Sequence, residues 1–487
     1  MKKTSHKAKI AQQKRNARAR KHQQRRKKNK KNSRRIPQPA KKRVNLPAFQ
    51  EFLKNVGFDR LCQEVYQRQR TTQRNRKWSF RHLALAWILI ALLKPESLTR
   101  FLDACARGVY RHWLYVKATP EAFFQKNASL PWPFMSDLVN AFLTAARQYA
   151  RPNRIKDRTL RRVFKSYDVY TIDGSRLDAL KKLPKPLRGL AEVILGGQIT
   201  MAYNMRYGLL WLFSFALDAK RSELTAARDL LKKLPKNALL VVDRLYATPK
   251  FAADVLQRGA HLLSRRWESV KFHNERPLGK PRYIKGCKVT ESLVEVGPEG
   301  NRQTWRHIVC KSRMGVLELI TTILDPKDLS AWEAIQLYKQ RWTIERVFYE
   351  MKITLNLQRI YASSPCTVAH QVYATVIAHT ALRLIQAEVA DALRVAPEAI
   401  SFQKLKYFME ESAVFTGVYY RIRHLYYLNG GRFPELHECL PPIDSLSLLV
   451  EPRKPCDEKR SRKKDKSSRR WISLKDIPAF AFVFDME

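Results

Sequence analysis

Apolar positions change their spacing twice along this 487-residue chain. From Leu46 to about Arg151 they recur every three to four residues, which predicts helices over Pro47–Val56, Asp59–Arg68, Phe80–Leu93, Ser97–Ala106 and Met135–Tyr149. From Tyr167 the period is that of strands. Tyr167–Ile172 ends in Asp173-Gly174-Ser175, and Gln198–Tyr207 and Leu209–Leu217 read as a hairpin joined by Gly208. Ser222-Glu223 supplies an N-cap and an early acid for a helix reaching about Lys233. Ala238–Val242 is an unbroken apolar run, hence a buried strand, and it ends in Asp243-Arg244-Leu245-Tyr246. A helix over Pro249–Arg258 then leads to a strand at His261–Ser264. The order β-β-β-α-β-α-β predicts an α/β sheet of mixed direction.

Between about Arg265 and Asp325 the pattern is strand-only, with turns at Gly297–Gly300 and the better strands at Trp305–Lys311 and Val316–Leu324. It reads as an all-β insertion. After the polar start Asp328–Ser330 comes a helix that carries the candidate chemistry, followed by a long apolar helix, Thr367–Val389. His370 and His379 lie on that helix, where a lone histidine is more often a satisfied core residue than a metal ligand. The stretch to Pro452 is helical and aromatic-rich, with Tyr419, Tyr420, Tyr426 and Tyr427 near Arg421 and Arg423. The longest apolar run, Leu83–Leu93, is too short to span a bilayer, so no membrane partner is expected. The expected division is a disordered basic arm (1–44), a helical domain (45–155) that either binds DNA or simply packs, an α/β core in two parts (156–264 and 327–392) around the β-rich insertion (265–326), a helical C-terminal region (393–452) and a basic tail (453–487).

Charge changes the picture most. The formal net charge is +50; the first 43 residues hold 20 Lys or Arg and no acid, and Arg453–Trp471 holds ten against three acids. The body between them stays strongly positive, which calls for a polyanionic partner, nucleic acid foremost. A ribosomal or RNA-packaging protein shares such charge but seldom a body of this size with this much apolar periodicity. The arm suits sequence-independent phosphate contact. Seven scattered cysteines without Cys-x-x-Cys spacing argue for reduced thiols in a cytoplasmic setting, against structural zinc or a disulfide framework.

The candidate chemistry sits on Tyr338–Lys352. At about 100° per residue, Tyr338, Arg341, Glu345 and Lys352 fall within an arc of roughly 60° on one helix. Leu337, Ile344, Phe348, Met351 and Leu355 form an adjoining apolar stripe that must face a core. Arg341 and Glu345 also have the i,i+4 spacing of an ordinary helix ion pair. Upstream, Asp173 and Asp243 each follow a hydrophobic strand directly, where ligands of α/β sheets gather. Asp-Gly at 173–174 is also a common turn, and Asp243 could cap or pair with Arg244. Together, three carboxylates beside Arg, Lys and Tyr suit hard divalent ions such as Mg²⁺. Two such ions about 3.5–4 Å apart activate the attacking oxygen and stabilise the leaving one in phosphodiester chemistry. Arg and Lys suit the phosphate itself.

These residues resemble the DDE transposases of bacterial insertion sequences. Ile172-Asp173-Gly174-Ser175 looks like their first-strand motif and Val242-Asp243-Arg244-Leu245-Tyr246 like their second. Tyr338-x2-Arg341-x3-Glu345-x6-Lys352 is similar to the Tyr-Arg-Glu-Lys signature of one large group among them. The resemblance covers about Tyr167–Val389. It implies a ribonuclease-H-like core carrying the β-rich insertion, flanked by helical regions. It also implies cut-and-paste movement of an element with terminal inverted repeats, two Mg²⁺ ions that Mn²⁺ replaces, double-stranded DNA at the element's ends and the target, and a homodimer in the synaptic complex of a bacterial, nucleoid-associated protein. By it, Asp173, Asp243 and Glu345 are catalytic metal ligands, and Tyr338, Arg341, Lys352, Arg244 and Tyr246 hold DNA phosphate. Trp305 or Trp267 stacks on a flipped base. The competing readings are an inactive relative kept as a DNA-binding protein and a nuclease on the same fold that cuts without joining.

Overall fold

A computed structural model describes residues 49–69, 77–111, 113–151, 154–178, 193–312, 315–361, 364–392, 395–409 and 471–473, all within one compact unit, Asn45–Glu487. The basic arm, the loop at 70–76, the Tyr419–Tyr427 cluster and nearly all of the basic tail lie outside the described residues. Six helices come first: α1 (Phe49–Asn55), α2 (Phe58–Arg68), α3 (Phe80–Leu93), α4 (Leu98–Ala106), α5 (Pro120–Ser129) and α6 (Pro133–Ala146). The periodicity missed α5. Its start is nonetheless marked, since the Thr119 hydroxyl accepts from the Ala122 N–H and Pro120 opens the first turn. A further helix, α7 (Arg154–Ser166), kinks at Leu160 and leads into the sheet.

The strands are β1 (Asp168–Arg176), β2 (Val193–Leu195), β3 (Gln198–Asn204), β4 (Leu209–Ala216), β5 (Ala238–Val242), β6 (His261–Arg265), β7 (His273–Pro277), β8 (Arg282–Ile284), β9 (Cys287–Val296), β10 (Gln303–Ser312), β11 (Gly315–Thr321) and β12 (Trp471–Ser473). Ten of them form one sheet in the order β4-β3-β1-β5-β6-β11-β10-β9-β7, with β8 on β9; β12 pairs with β2 alone. β1, β3 and β4 are antiparallel neighbours, and β1, β5 and β6 are parallel. The strands expected as an all-β insertion prolong the same sheet: β11 pairs antiparallel with β6, Leu319 opposite Arg265. β9, ten residues like β10, was hidden in sequence by Lys288, Glu291 and Glu295 along it.

Helices α8 (Glu223–Leu231) and α9 (Pro249–Gln257) cover one face, where Ala227, Leu230 and Phe251 pack with Tyr170, Ile172 and Leu240. The other face takes α7 and α10 (Ala331–Gln340), through Val163, Leu337 and Tyr338 against Val169 and Val241. A reciprocal cap starts α10: the Ser330 hydroxyl accepts from Glu333 N–H, and the Glu333 carboxylate accepts from Ser330 N–H.

The single helix expected through Lys352 is broken. α10 ends at Gln340, α11 runs Thr343–Tyr349, and Glu350–Thr354 form a wider π turn. The π turn carries a buried polar network. Glu350 accepts from Arg383 at 2.8 Å and bonds His379 Nε2 at 2.9 Å, both on α12 (Pro365–Ala392), and Arg383 also donates to Gln386. Burial would raise the Glu350 carboxyl, but Arg383 and His379 hold it below the usual range. His370 bonds Asn127 at 2.7 Å and burial holds it down to about 3, so both histidines are core residues as expected. α12 is buried on nearly all sides, wrapped by α3 and α6 on one side and β4 on another; Tyr373 stacks on Trp132 and meets Phe213 edge-on. The N-terminal helices therefore share one hydrophobic core with α12 instead of standing as a separate body. Among the described residues no helix is long and apolar enough to cross a membrane.

Candidate active site

β1 and β5 run parallel with Tyr170 opposite Leu240. Three residues further, the same alignment carries Asp173 and Asp243 past their last shared pair. Asp243 thus follows the last residue of β5, and Asp173 lies in β1 beyond its last pair with that strand, where the strand order turns from antiparallel to parallel and α/β sheets open a crevice. Asp173-Gly174 is strand, not turn: Asp173 lies opposite Met201 and Gly174 opposite Thr200 on β3. Asp243 is the first residue beyond β5 and precedes a tight turn at Arg244–Tyr246.

Arg341, at the break between α10 and α11, reaches all three acids. Its Nη2 is 3.1 Å from Glu345 Oε1 and 4.0 Å from Asp243 Oδ1, and its Nη1 is 4.0 Å from Asp173 Oδ2. The i,i+4 pair is real, but the guanidinium does more than steady a helix. It is 6 % exposed, against 19 % for Asp173, 34 % for Glu345 and 42 % for Asp243. Its Nε–H is buried with no partner among the described residues, an unspent donor. Tyr338 is buried with its ring centroid 5.9 Å from the guanidinium. Half-buried Lys352 donates from Nζ to the main-chain oxygen of Arg176, at the end of β1. Burial pushes the Asp173 carboxyl up to about 7; the Gly174 N–H opposes this, Glu223 adds to it, Arg341 pulls down and Asp243 pushes up.

The row of Tyr338, Arg341, Glu345 and Lys352 is thus gathered at the strand ends with Asp173 and Asp243. Arg244 is exposed beside Asp243. Tyr246 is not on the surface as a phosphate contact requires: it is fully buried, and its hydroxyl has no hydrogen-bond partner among the described residues. Trp305 also departs from expectation. It is 1 % exposed, packs with Tyr246 and Phe251, and donates its indole N–H to Gln303, so stacking on a base would require it to leave the core. Trp267 is half-buried against the same cluster. One acid at this site escaped the sequence reading. Glu223, first residue of α8, lies close enough for its charge to act on Asp173, and burial raises its own carboxyl, with Arg176 opposing and Asp243 adding.

Among the described residues, no three acid, histidine or cysteine side chains close around a point that would hold a metal ion. The donor chemistry still fits one. The ligands on offer are carboxylate oxygens, which suit Mg²⁺ or Mn²⁺ over softer metals. The crowded acids need positive charge among them, and Arg341 supplies it in the arrangement seen.

Residues 193–381 match the family of the Transposase DDE domain. Asp243, Glu345, Tyr338, Arg341 and Lys352 fall inside the match, and Asp173 lies before it. The chain is also similar to a probable transposase for insertion sequence element IS5377 of Geobacillus stearothermophilus, 24 % identical over 164 residues, covering 34 % of this chain and 44 % of that protein. To the transposase InsG for insertion sequence element IS4 of Escherichia coli it is 25 % identical over 194 residues, 38 % and 43 % of the two chains. A putative transposase for insertion sequence element IS4SA of Synechocystis is 24 % identical over 222 residues, 45 % and 60 %. The matched part is therefore less than two thirds of each relative. These similarities support an insertion-sequence transposase of the DDE family, and the mixed sheet flanked by helices fits such a domain.

Proposed function

We propose that this chain is the transposase of a bacterial insertion sequence, cutting the element's ends and joining them to target DNA. The observation that carries the reading is the convergence of Asp173, Asp243 and Glu345 around Arg341 at the ends of two parallel strands. The order β4-β3-β1-β5-β6, three antiparallel strands then two parallel to the first, supports a ribonuclease-H-like core.

In this reading Asp173, Asp243 and Glu345 hold divalent ions, Mg²⁺ by preference. Bound there, such ions lend Lewis acidity to phosphodiester exchange. The chain's own residues do the positioning. Arg341, with its unspent Nε–H, turns from the acids towards phosphate as a fork, and Lys352 adds a point charge at the end of β1. Exposed Arg244 contacts the DNA backbone from the β5 side. Tyr338 backs the Arg341 guanidinium from beneath. The strongly positive body and tails bring the double-stranded ends and target to the site by counterion release. The active unit is a homodimer that pairs the two ends.

The test is a supercoiled plasmid carrying the element's ends, taken from the DNA flanking the gene, incubated with protein and Mg²⁺. Joined products are expected, and Asp173→Ala, Asp243→Ala and Glu345→Ala each abolish them while end binding persists. Cuts without joining would assign a nuclease; binding without cuts would assign a DNA-binding relative.

A further inference from the structure

Gly174 is a glycine inside a strand, at an unremarkable backbone angle, so its conformational freedom is not what the position uses. Space is. A Cβ built there would lie 3.1 Å from Glu223 Cγ, 3.4 Å from Glu223 Cδ and 3.3 Å from Gln198 Nε2, tighter than ordinary contact. The missing side chain lets Glu223 lie against the backbone of β1, one residue from Asp173. Glu223 arrives from the face that α8 covers, whereas Arg341 and Glu345 arrive with α10 and α11 from the other. The acids thus meet over the sheet's end from both sides.

Two further groups aim at the same place without a partner. Tyr246 is fully buried, its hydroxyl makes no hydrogen bond among the described residues, and the charges that act on its phenol are those of Asp173, Glu223 and Asp243, opposed by Arg341. Gln198 is 1 % exposed, and neither atom of its amide is bonded among the described residues. Unsatisfied buried polar atoms are costly, so a pair of them beside a carboxylate cluster marks a place where a ligand or its water completes the bonding.

We propose that Glu223 is a fourth carboxylate of the metal site, admitted by Gly174, with Tyr246 and Gln198 as its positioning partners. The inference rests on the metal-dependent reading of Asp173, Asp243 and Glu345. Mg²⁺ keeps several waters and takes few carboxylates, so Glu223 engages directly or through one such water, and the Tyr246 hydroxyl and Gln198 amide bond the oxygen that remains. The plainer account is that Glu223 only complements the helix dipole at the start of α8.

Mn²⁺ titration of the full chain, followed by electron paramagnetic resonance, separates the two. Glu223→Gln keeps the shape and an oxygen for the dipole, and it should weaken Mn²⁺ binding by about tenfold or more, the scale for groups supporting a metal site. Its melting temperature without metal should hold or rise, because one crowded acid is gone. Gly174→Ala, which displaces Glu223, should weaken binding in the same direction. Asp243→Asn is the control. If Asp243→Asn loses Mn²⁺ while Glu223→Gln binds as wild type does, this proposal falls and the three-acid site stands. If Asp243→Asn binds like wild type, the metal reading falls and takes this proposal with it. Should Glu223→Gln fail to fold, Glu223→Asp decides: a shortened carboxylate must weaken Mn²⁺ in a protein of normal stability, and unchanged affinity overturns the assignment.

Discussion

Arg341 is the residue whose removal says most about how the acids are held. A unit charge 4 Å from an opposite one is worth about 4 kcal/mol at an effective dielectric near 20. Arg341 has one acid at 3.1 Å and two at 4.0 Å, but solvent screens Glu345 and Asp243, each a third or more exposed. Breaking a buried ion pair by removing one partner costs about 3–5 kcal/mol, and the screening places Arg341→Gln near the lower end, roughly 3 kcal/mol. For a folded unit of this size the unfolding entropy makes that about 1 °C per kcal/mol, so a fall of about 3 °C in Tm without metal. Excess Mg²⁺ should restore more of the loss in Arg341→Gln than it adds to wild type, because the ions supply the charge the acids have lost. Arg341→Lys keeps the charge and should melt within about 1 °C of wild type, yet cleave element ends about 10²-fold more slowly for want of the bidentate fork. Thermal melts in EDTA and in Mg²⁺, paired with the plasmid assay, read all of this. A wild-type Tm for Arg341→Gln in EDTA would refute the account of Arg341 as the cation that holds the acids. Wild-type cleavage by Arg341→Lys would remove it from phosphate contact.

Asp173, raised by burial to about 7, favours the folded state in its protonated form; that stability is full below about pH 4 and is lost as pH rises through 7. Melts in EDTA should therefore show Asp173→Asn gaining on wild type between those limits, and an unchanged difference across that range would contradict the placement. Glu350→Gln breaks the buried pair with Arg383 under the π turn and should cost about 3–5 kcal/mol, seen as a lower Tm. The sign for Glu350 is opposite to that for Asp173: its carboxyl is held low, so its contribution is present at neutral pH and lost in acid, and Glu350→Gln should flatten the acid limb of the stability curve. Trp305→Ala should cost about 3–5 kcal/mol as a core truncation. A Trp305→Ala protein of normal Tm that fails only at end cleavage would return this residue to base contact.

Elements with a local signature were legible. β5 is five apolar residues in a row, α3 has the Ser79 cap and an apolar interior, and Ser330 with Glu333 spells the start of α10; each appears where the pattern puts it. The errors fall where a distant partner decides. Nothing within Tyr338–Lys352 forbids a continuous helix, and the π turn carries Glu350, whose partners Arg383 and His379 lie on another helix. The all-β segment reads as an insertion because edge pairing leaves no mark in sequence; only the β6–β11 pairing shows that it lengthens the sheet.

The site divides along the same line. Asp173 and Asp243 could be singled out because each ends an apolar strand, and Glu345 because its helix spacing sets it beside Arg341. That the two aspartates are equivalent positions on parallel neighbours follows from the pairing of Tyr170 with Leu240, which depends on β5 crossing back beside β1 instead of β4. The same crossing explains what was misread. It carries the turn after Asp243 into the cluster that holds Phe251 of α9, where Tyr246 is buried, and it brings the first residue of α8 beside β1, where Glu223 ceases to be a helix-start acid like any other. An acid at the head of a helix is common enough to carry no signal. Beside a glycine whose absent side chain leaves it room, and beneath a phenol and an amide that lack partners among the described residues, it becomes a group the site must account for.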